Sequence, residues 1–179
     1  MNKTRRIVII SIFCCLSVVL DIIKEFIPFL NLPSGGSINI SLIPVFVCGF
    51  MFGVKDGFIC SFLSFLLSSI FGLNSYIVSV PQYILDYIIP FACVGLASIF
   101  YKDKKFWQME VGISLAMLFR TLSIIISGAY FWIESTMLAG SKEAIIFSIA
   151  YNAPYALMTT ILLMITVPLI NKMIRKYLI

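Results

Sequence analysis

A single carboxylate, Asp86, lies inside the apolar run VPQYILDYIIPF (80–91), with the aromatic hydroxyls of Tyr83 and Tyr87 close by. Two more polar groups sit in equally apolar surroundings: Arg120 in LFRTLSII, and Asn152 in YNAPY, where Tyr151 and Tyr155 flank the amide. Tyr130 and Trp132 close the run that contains Arg120. A charge at the centre of a bilayer costs at least about 2.5–3.5 kcal/mol, so it normally faces a cavity or a partner. An acid, an amide and aromatic faces together suit a small organic cation with hydrogen-bonding edges. Aromatic faces attract cations, a carboxylate accepts from an amine and balances its charge, and an Asn offers donor and acceptor at once. The competing reading is a structural Asp86–Arg120 ion pair with a belt of interfacial aromatics.

Other chemistries find no footing. The chain has no His and no CxxC, which disfavours a zinc site and removes any Ser-His or Cys-His nucleophile. It has no GxxxxGK[ST], so it cannot hydrolyse ATP through a P-loop. An intramembrane enzyme, such as a lipid-modifying transferase, lacks a nucleophile–base constellation here. The expectation is a binding protein, not an enzyme, without cofactor or metal. Cys14, Cys15, Cys48, Cys60 and Cys93 all fall in apolar runs and read as small packing hydrophobes.

The elements that must hold these groups are membrane spans. The 179 residues are 61% hydrophobic and only 12% charged, with a mean hydropathy of +1.07. Soluble domains are about half apolar and a quarter charged, so this is the composition of an all-α, multi-pass protein in the lipid bilayer. The N-terminal run is too long for a signal peptide and is followed by no small-residue cleavage site. At roughly 20 residues per crossing, six spans are expected at about 7–28, 39–54, 57–73, 79–100, 107–131 and 144–170, forming a single domain over 1–179. Spans two and three meet at GFMFGVKDGF, where Gly49, Gly53 and Gly57 recur every four residues and allow close backbone approach. Lys55 and Asp56 mark a wet turn there.

Charge fixes the orientation. Lys3, Arg5 and Arg6, then Lys55, then Lys102, Lys104 and Lys105, then Lys172, Arg175 and Lys176 all fall on one side of a six-span chain. The opposite side carries Lys142 and, near the end of span one, Lys24. Positive residues gather in the cytoplasm, so both termini are expected there. This also explains the net charge of +5 without nucleic acid, since no basic face is interleaved with polar surface. Counting 1.5 Å of rise per residue, Asp86, Arg120 and Asn152 lie roughly 10, 16 and 12 Å below the outer edge. Asp21, Lys24 and Glu25 read as an interfacial charged turn, and Lys142 with Glu143 as solvated. The outer connections are NLPSGGSIN, a tight turn rich in Gly and Ser, then LNSYIVSV and IESTMLAGSKE.

The segments GGSINISLIPV (35–45), FGVKDGF (52–58), QYILDYIIPFACVGLA (82–97), LFRTLSIIISGAYFW (118–132) and YNAPY (151–155) together resemble the substrate-binding S components of energy-coupling factor (ECF) vitamin transporters, most closely the thiamine-specific branch. The resemblance covers nearly the whole chain. It implies a six-helix cell-membrane protein of the S-component fold that captures thiamine from outside. It further implies delivery with a membrane scaffold subunit and two ATPase subunits. The substrate residues implied are Asp86 and Tyr87 on span four, Arg120, Gly128 and Trp132 on span five, and Phe147 and Asn152 on span six, with Tyr151 joining them as the aromatic that flanks Asn152. Asp86 stands where relatives often have the longer Glu, Ile124 where they commonly have His, and Phe147 where they have Tyr. An S component for another small molecule, such as a thiamine precursor or a phosphorylated form, is the alternative. Family members pack small residues of span one on the scaffold, which points to Ser11 and Cys15, four apart on one helical face. Small residues at that spacing also serve ordinary helix packing.

Overall fold

The structure, a computed structural model, describes residues 3–31, 36–74, 76–133 and 136–178. The middle of the first outer connection, 32–35, lies outside the described residues, so the tight turn expected there is not described. Among the described residues, six main helical elements follow one another: α1 (Lys3–Glu25), α2 (Leu42–Phe52), α3 (Val54–Ile70), α4 (Val80–Phe100), α5 (Phe106–Phe131) and α6 (Lys142–Leu178). Four of them, α1, α4, α5 and α6, are long and apolar enough to cross a bilayer. Among the described residues, extended pairing is limited to an isolated bridge between Asn31 and Ser37.

The core is built around α2. Its 11 residues cover only about 16 Å at 1.5 Å per residue, and they are apolar on every side. A helix apolar all round is one that other helices enclose. Here α2 is packed by α1, α3, α4 and α6, with α5 closing the arc between α4 and α6. Val45, Phe46, Val47 and Cys48 are almost completely inaccessible.

Glycine makes the tightest junction possible. Gly53 ends α2 at φ 96°, a conformation that costs glycine little and side-chain-bearing residues much. The chain then reverses into α3 so closely that a Cβ on Gly57 would stand 2.8 Å from Gly49 Cα and 2.9 Å from the Gly95 carbonyl oxygen of α4. Asp56 in this reversal is not in a wet turn, as its position beside Lys55 suggested. It is buried and paired with Arg6 of α1. Arg6 also donates to the Phe52 carbonyl at 3.3 Å, and Arg175 of α6 donates to the Phe50 carbonyl at 3.0 Å. Both terminal helices are therefore tied to the same end of the bundle as the α2–α3 reversal.

The five thiols are free. Cys14, Cys48 and Cys60 are buried where α1, α2 and α3 meet, with the sulfurs of Cys14 and Cys60 3.5 Å apart. Cys15 departs from the packing expectation and is exposed on the outer face of α1.

Candidate functional site

At the end of the bundle away from the termini, α4 changes pitch. Residues Ile84–Ile88 form a π turn, closed by the Ile89 amide on the Ile84 carbonyl. In that register the Leu85 carbonyl would look to residue 90 for a donor, and Pro90 has none. Ser123 of α5 supplies it, its hydroxyl donating to the Leu85 carbonyl at 2.7 Å. The widened turn carries Asp86 and Tyr87, and such turns often mark functional sites. Behind them Tyr83 and Tyr87 pack ring to ring at 5.0 Å, and Phe65 lies 5.9 Å from Tyr83.

The Asp86 carboxylate is held through one oxygen. Its Oδ2 accepts from Gln82 Nε2 at 2.6 Å and from the Trp132 indole Nε1 at 2.8 Å. Among the described residues no hydrogen bond is assigned to Oδ1, and no ion pair joins Asp86 to Arg120. The structural ion pair offered by the sequence is therefore absent among the described residues. An indole N–H stands in the place of a cation.

Across from Asp86, Gly128 of α5 faces Ser148 of α6. A Cβ on Gly128 would run into the Ser148 hydroxyl and stand 3.1 Å from the Ser148 Cβ, so glycine lets the helices meet here without displacing that serine. Ser148 donates to the Ile125 carbonyl at 2.8 Å. Asn152, one turn on and buried, donates to the Ser148 carbonyl at 2.9 Å and to its hydroxyl at 3.2 Å. Tyr155 donates its hydroxyl to Asn152 Oδ1. The amide is thus oriented from both sides by its own helix.

These groups surround a cavity of about 620 Å³ lined by Tyr76, Asp86, Tyr87, Ile124, Gly128, Trp132, Phe147, Ser148, Tyr151 and Asn152. That volume falls within the roughly 300–1,000 Å³ usual for small-molecule sites. Every substrate residue suggested by the resemblance lines it except Arg120. Arg120 instead lines a smaller cavity of about 170 Å³, which shares Asp86 and Tyr87 with the first and adds Asp21, Lys24, Asn39 and Asn74.

The smaller cavity revises the reading of the end of α1. Asp21 is buried, and Lys24 pairs with it at 2.7 Å and donates to Asn39 at 2.9 Å. Ser41 donates to Asp21 Oδ1 at 3.1 Å. Of the three residues expected in an interfacial charged turn, Asp21 and Lys24 are instead wall and anchor for the segment 36–41, which also docks on α6 through Asn39 N–H and Thr159 at 3.1 Å. Lys142 and Glu143 are exposed, as expected.

Sequence reasoning did not single out Tyr76, Ser148 or Gln82. Gln82 and Ser148 each sit four residues before a singled-out polar group, a spacing that places them one helical turn away. Tyr76 lies in an irregular connection and carries no such signal.

On α1, Ser11 and Cys15 are both exposed and line a shallow apolar groove with Ile7, Val8, Ile12, Leu16 and Val19. This groove lies on a different face of the chain from the two cavities.

The sequence profile of the family described as thiamine transporter protein (Thia_YuaJ) matches residues 7–179. The thiamine transporter ThiT of Bacillus subtilis (strain 168) is 31% identical over 169 residues, spanning 87% of this chain and 85% of that protein. In solved structures, ThiT from Listeria monocytogenes superposes with a TM-score of 0.79 at 24% identity, covering 98% of each chain. The S component of a bacterial ECF transporter superposes with a TM-score of 0.68 at 21% identity, covering 99% of each. The fold is that of an S component, and the family is one of membrane transporters rather than enzymes. The chain belongs to the thiamine transporter protein family.

Proposed function

We propose that the chain is the thiamine-capturing S component of an ECF transporter, binding the vitamin in the larger cavity. The observation that carries this reading is the pairing of the Asp86 carboxylate and the Trp132 ring on one wall of that cavity. Thiamine joins a permanently cationic thiazolium to an aminopyrimidine with donor and acceptor edges. The cation suits the face of an indole. The carboxylate oxygen Oδ1 can accept from the exocyclic amine. Asn152, with its orientation already set and its Nδ2 donors engaged by Ser148, keeps a lone pair on Oδ1 that can accept from a ligand donor at the other edge.

The distribution of Lys and Arg supports cytoplasmic termini, which turns the cavity end outward. Six crossings over the expected spans follow, with the short α2 shielded by its neighbours. Transport then needs an energised partner, since this chain carries no GxxxxGK[ST] motif for ATP hydrolysis. A scaffold subunit with two ATPase subunits fits that need, and the α1 groove with Ser11 and Cys15 is its docking face.

Ile124 and Phe147 line the cavity with hydrocarbon where relatives commonly offer polar groups. This favours, as a second reading, a ligand with fewer hydrogen-bonding edges than thiamine, such as a thiamine precursor. Mass spectrometry of the ligand retained through purification separates the two. Recovery of thiamine supports the first, and recovery of a single-ring precursor the second. A thiamine titration that shows no binding would refute the first.

A further inference from the structure

Gln82 is fully buried, although it is a large polar side chain next to a cavity. Every polar atom of the amide is engaged. Its Oε1 accepts from the Val78 backbone N–H at 3.0 Å, while Nε2 donates to the Tyr76 carbonyl at 3.3 Å and to Asp86 Oδ2 at 2.6 Å. Its own backbone N–H is capped by the Ser79 hydroxyl at 3.3 Å. Two things meet at this amide: the segment 76–79, which brings Tyr76 to the rim of the larger cavity, and the carboxylate at its wall.

We infer that Gln82 is a positioning residue for the ligand site, which fixes the Asp86 carboxylate and ties the Tyr76 rim segment to it. The inference rests on the thiamine-binding reading of the cavity. Asp86 has one methylene fewer than Glu, so its carboxylate must be aimed by its surroundings rather than by reach. Gln82 and Trp132 both donate to Oδ2, which leaves Oδ1 as the acceptor offered to the ligand. A half-buried carboxylate held through one oxygen loses alignment when one of its two donors is removed, because the remaining donor permits rotation about it. The same amide bridges to the backbone at Tyr76 and Val78. A ligand that holds the acid therefore also holds the rim, and ligand escape requires the rim to part from an amide still bonded to the acid. Networks of this kind are coupled, and double-mutant cycles measure that coupling.

The test compares thiamine affinity and dissociation rate in purified full-length protein for Gln82→Leu, Asp86→Ala and the double variant, with apo-state thermal unfolding as the folding control. Gln82→Leu is expected to weaken thiamine by roughly tenfold, mostly through faster dissociation, and to change affinity less than about twofold once Asp86 is Ala. Unchanged affinity in Gln82→Leu overturns the inference. Equal losses in the presence and absence of the Asp86 carboxylate also overturn it, because they mark a structural role independent of the acid. If Gln82→Leu does not fold, Gln82→Met, which keeps the length without the donors, carries the same test. An Asp86→Ala variant with undiminished thiamine affinity would instead refute the thiamine-site reading itself, a result distinct from failure of the Gln82 cycle.

Discussion

The indole N–H of Trp132 lies 2.8 Å from Asp86 Oδ2 and joins the end of α5 to the π turn of α4. The bond places an anion and the edge of a large aromatic plane at one corner of the cavity. It gives each a reason to stay there in the absence of a counter-ion.

Removing the acid should therefore cost most. Asp86→Ala is expected to weaken thiamine binding by more than roughly tenfold, or about 1.4 kcal/mol, measured by calorimetry in detergent. Unchanged affinity would show that the carboxylate does not face the ligand.

Fluorescence gives an independent view of Trp132. The chain has two tryptophans, and Trp107 sits at the opposite end of α5. Thiamine should quench the emission strongly. The quench should persist in Trp107→Phe and vanish in Trp132→Phe. Loss in the Trp107 variant alone would place the ligand at the wrong end of the bundle.

The contact between α5 and α6 should not tolerate a methyl group. Gly128→Ala forces a Cβ into the Ser148 hydroxyl and should destabilise by about 1–3 kcal/mol, the usual cost of overpacking. It should also weaken thiamine binding, because Asn152 is oriented by the same serine. Adding Ser148→Ala should return part of the thermal stability lost, but not the affinity. A Gly128→Ala protein that melts like the parent would show that the helices can part at no cost.

The α1 groove should separate capture from assembly. Ser11→Trp fills an exposed apolar groove remote from the cavities, so thiamine affinity should hold while co-purification with the scaffold subunit falls at least roughly tenfold. Loss of both properties would indicate misfolding, and loss of neither would move the docking face elsewhere.

Much of this arrangement was legible in the chain because the membrane makes polar groups conspicuous. Asp86, Arg120 and Asn152 stand out against hydrocarbon, and composition alone required helices. Tyr87 follows Asp86 directly in the chain, and Gly128 was indicated by the family resemblance alone. What stayed hidden depended on tertiary pairing. Nothing local says that Asp86 takes Trp132 and Gln82 as partners and leaves Arg120 to a second cavity. Asp21 and Lys24 read as an interfacial charged turn because charged residues at a helix end usually form one, yet segment 36–41 folds over them. The π turn could not be read either. A proline at position 90 predicts a disturbed helix, but whether a bend, a break or a widened turn results depends on Ser123, thirty-three residues further along.

The enclosure of α2 has a bearing on how the protein is made. Its partners include α6, which leaves the ribosome after α1 to α5. During synthesis this short segment therefore emerges long before its full surroundings exist. Until α6 arrives, one flank must rest against lipid or an insertion chaperone. Nascent chains halted before α6 should then be recognised by membrane quality-control proteases, however sound their earlier helices.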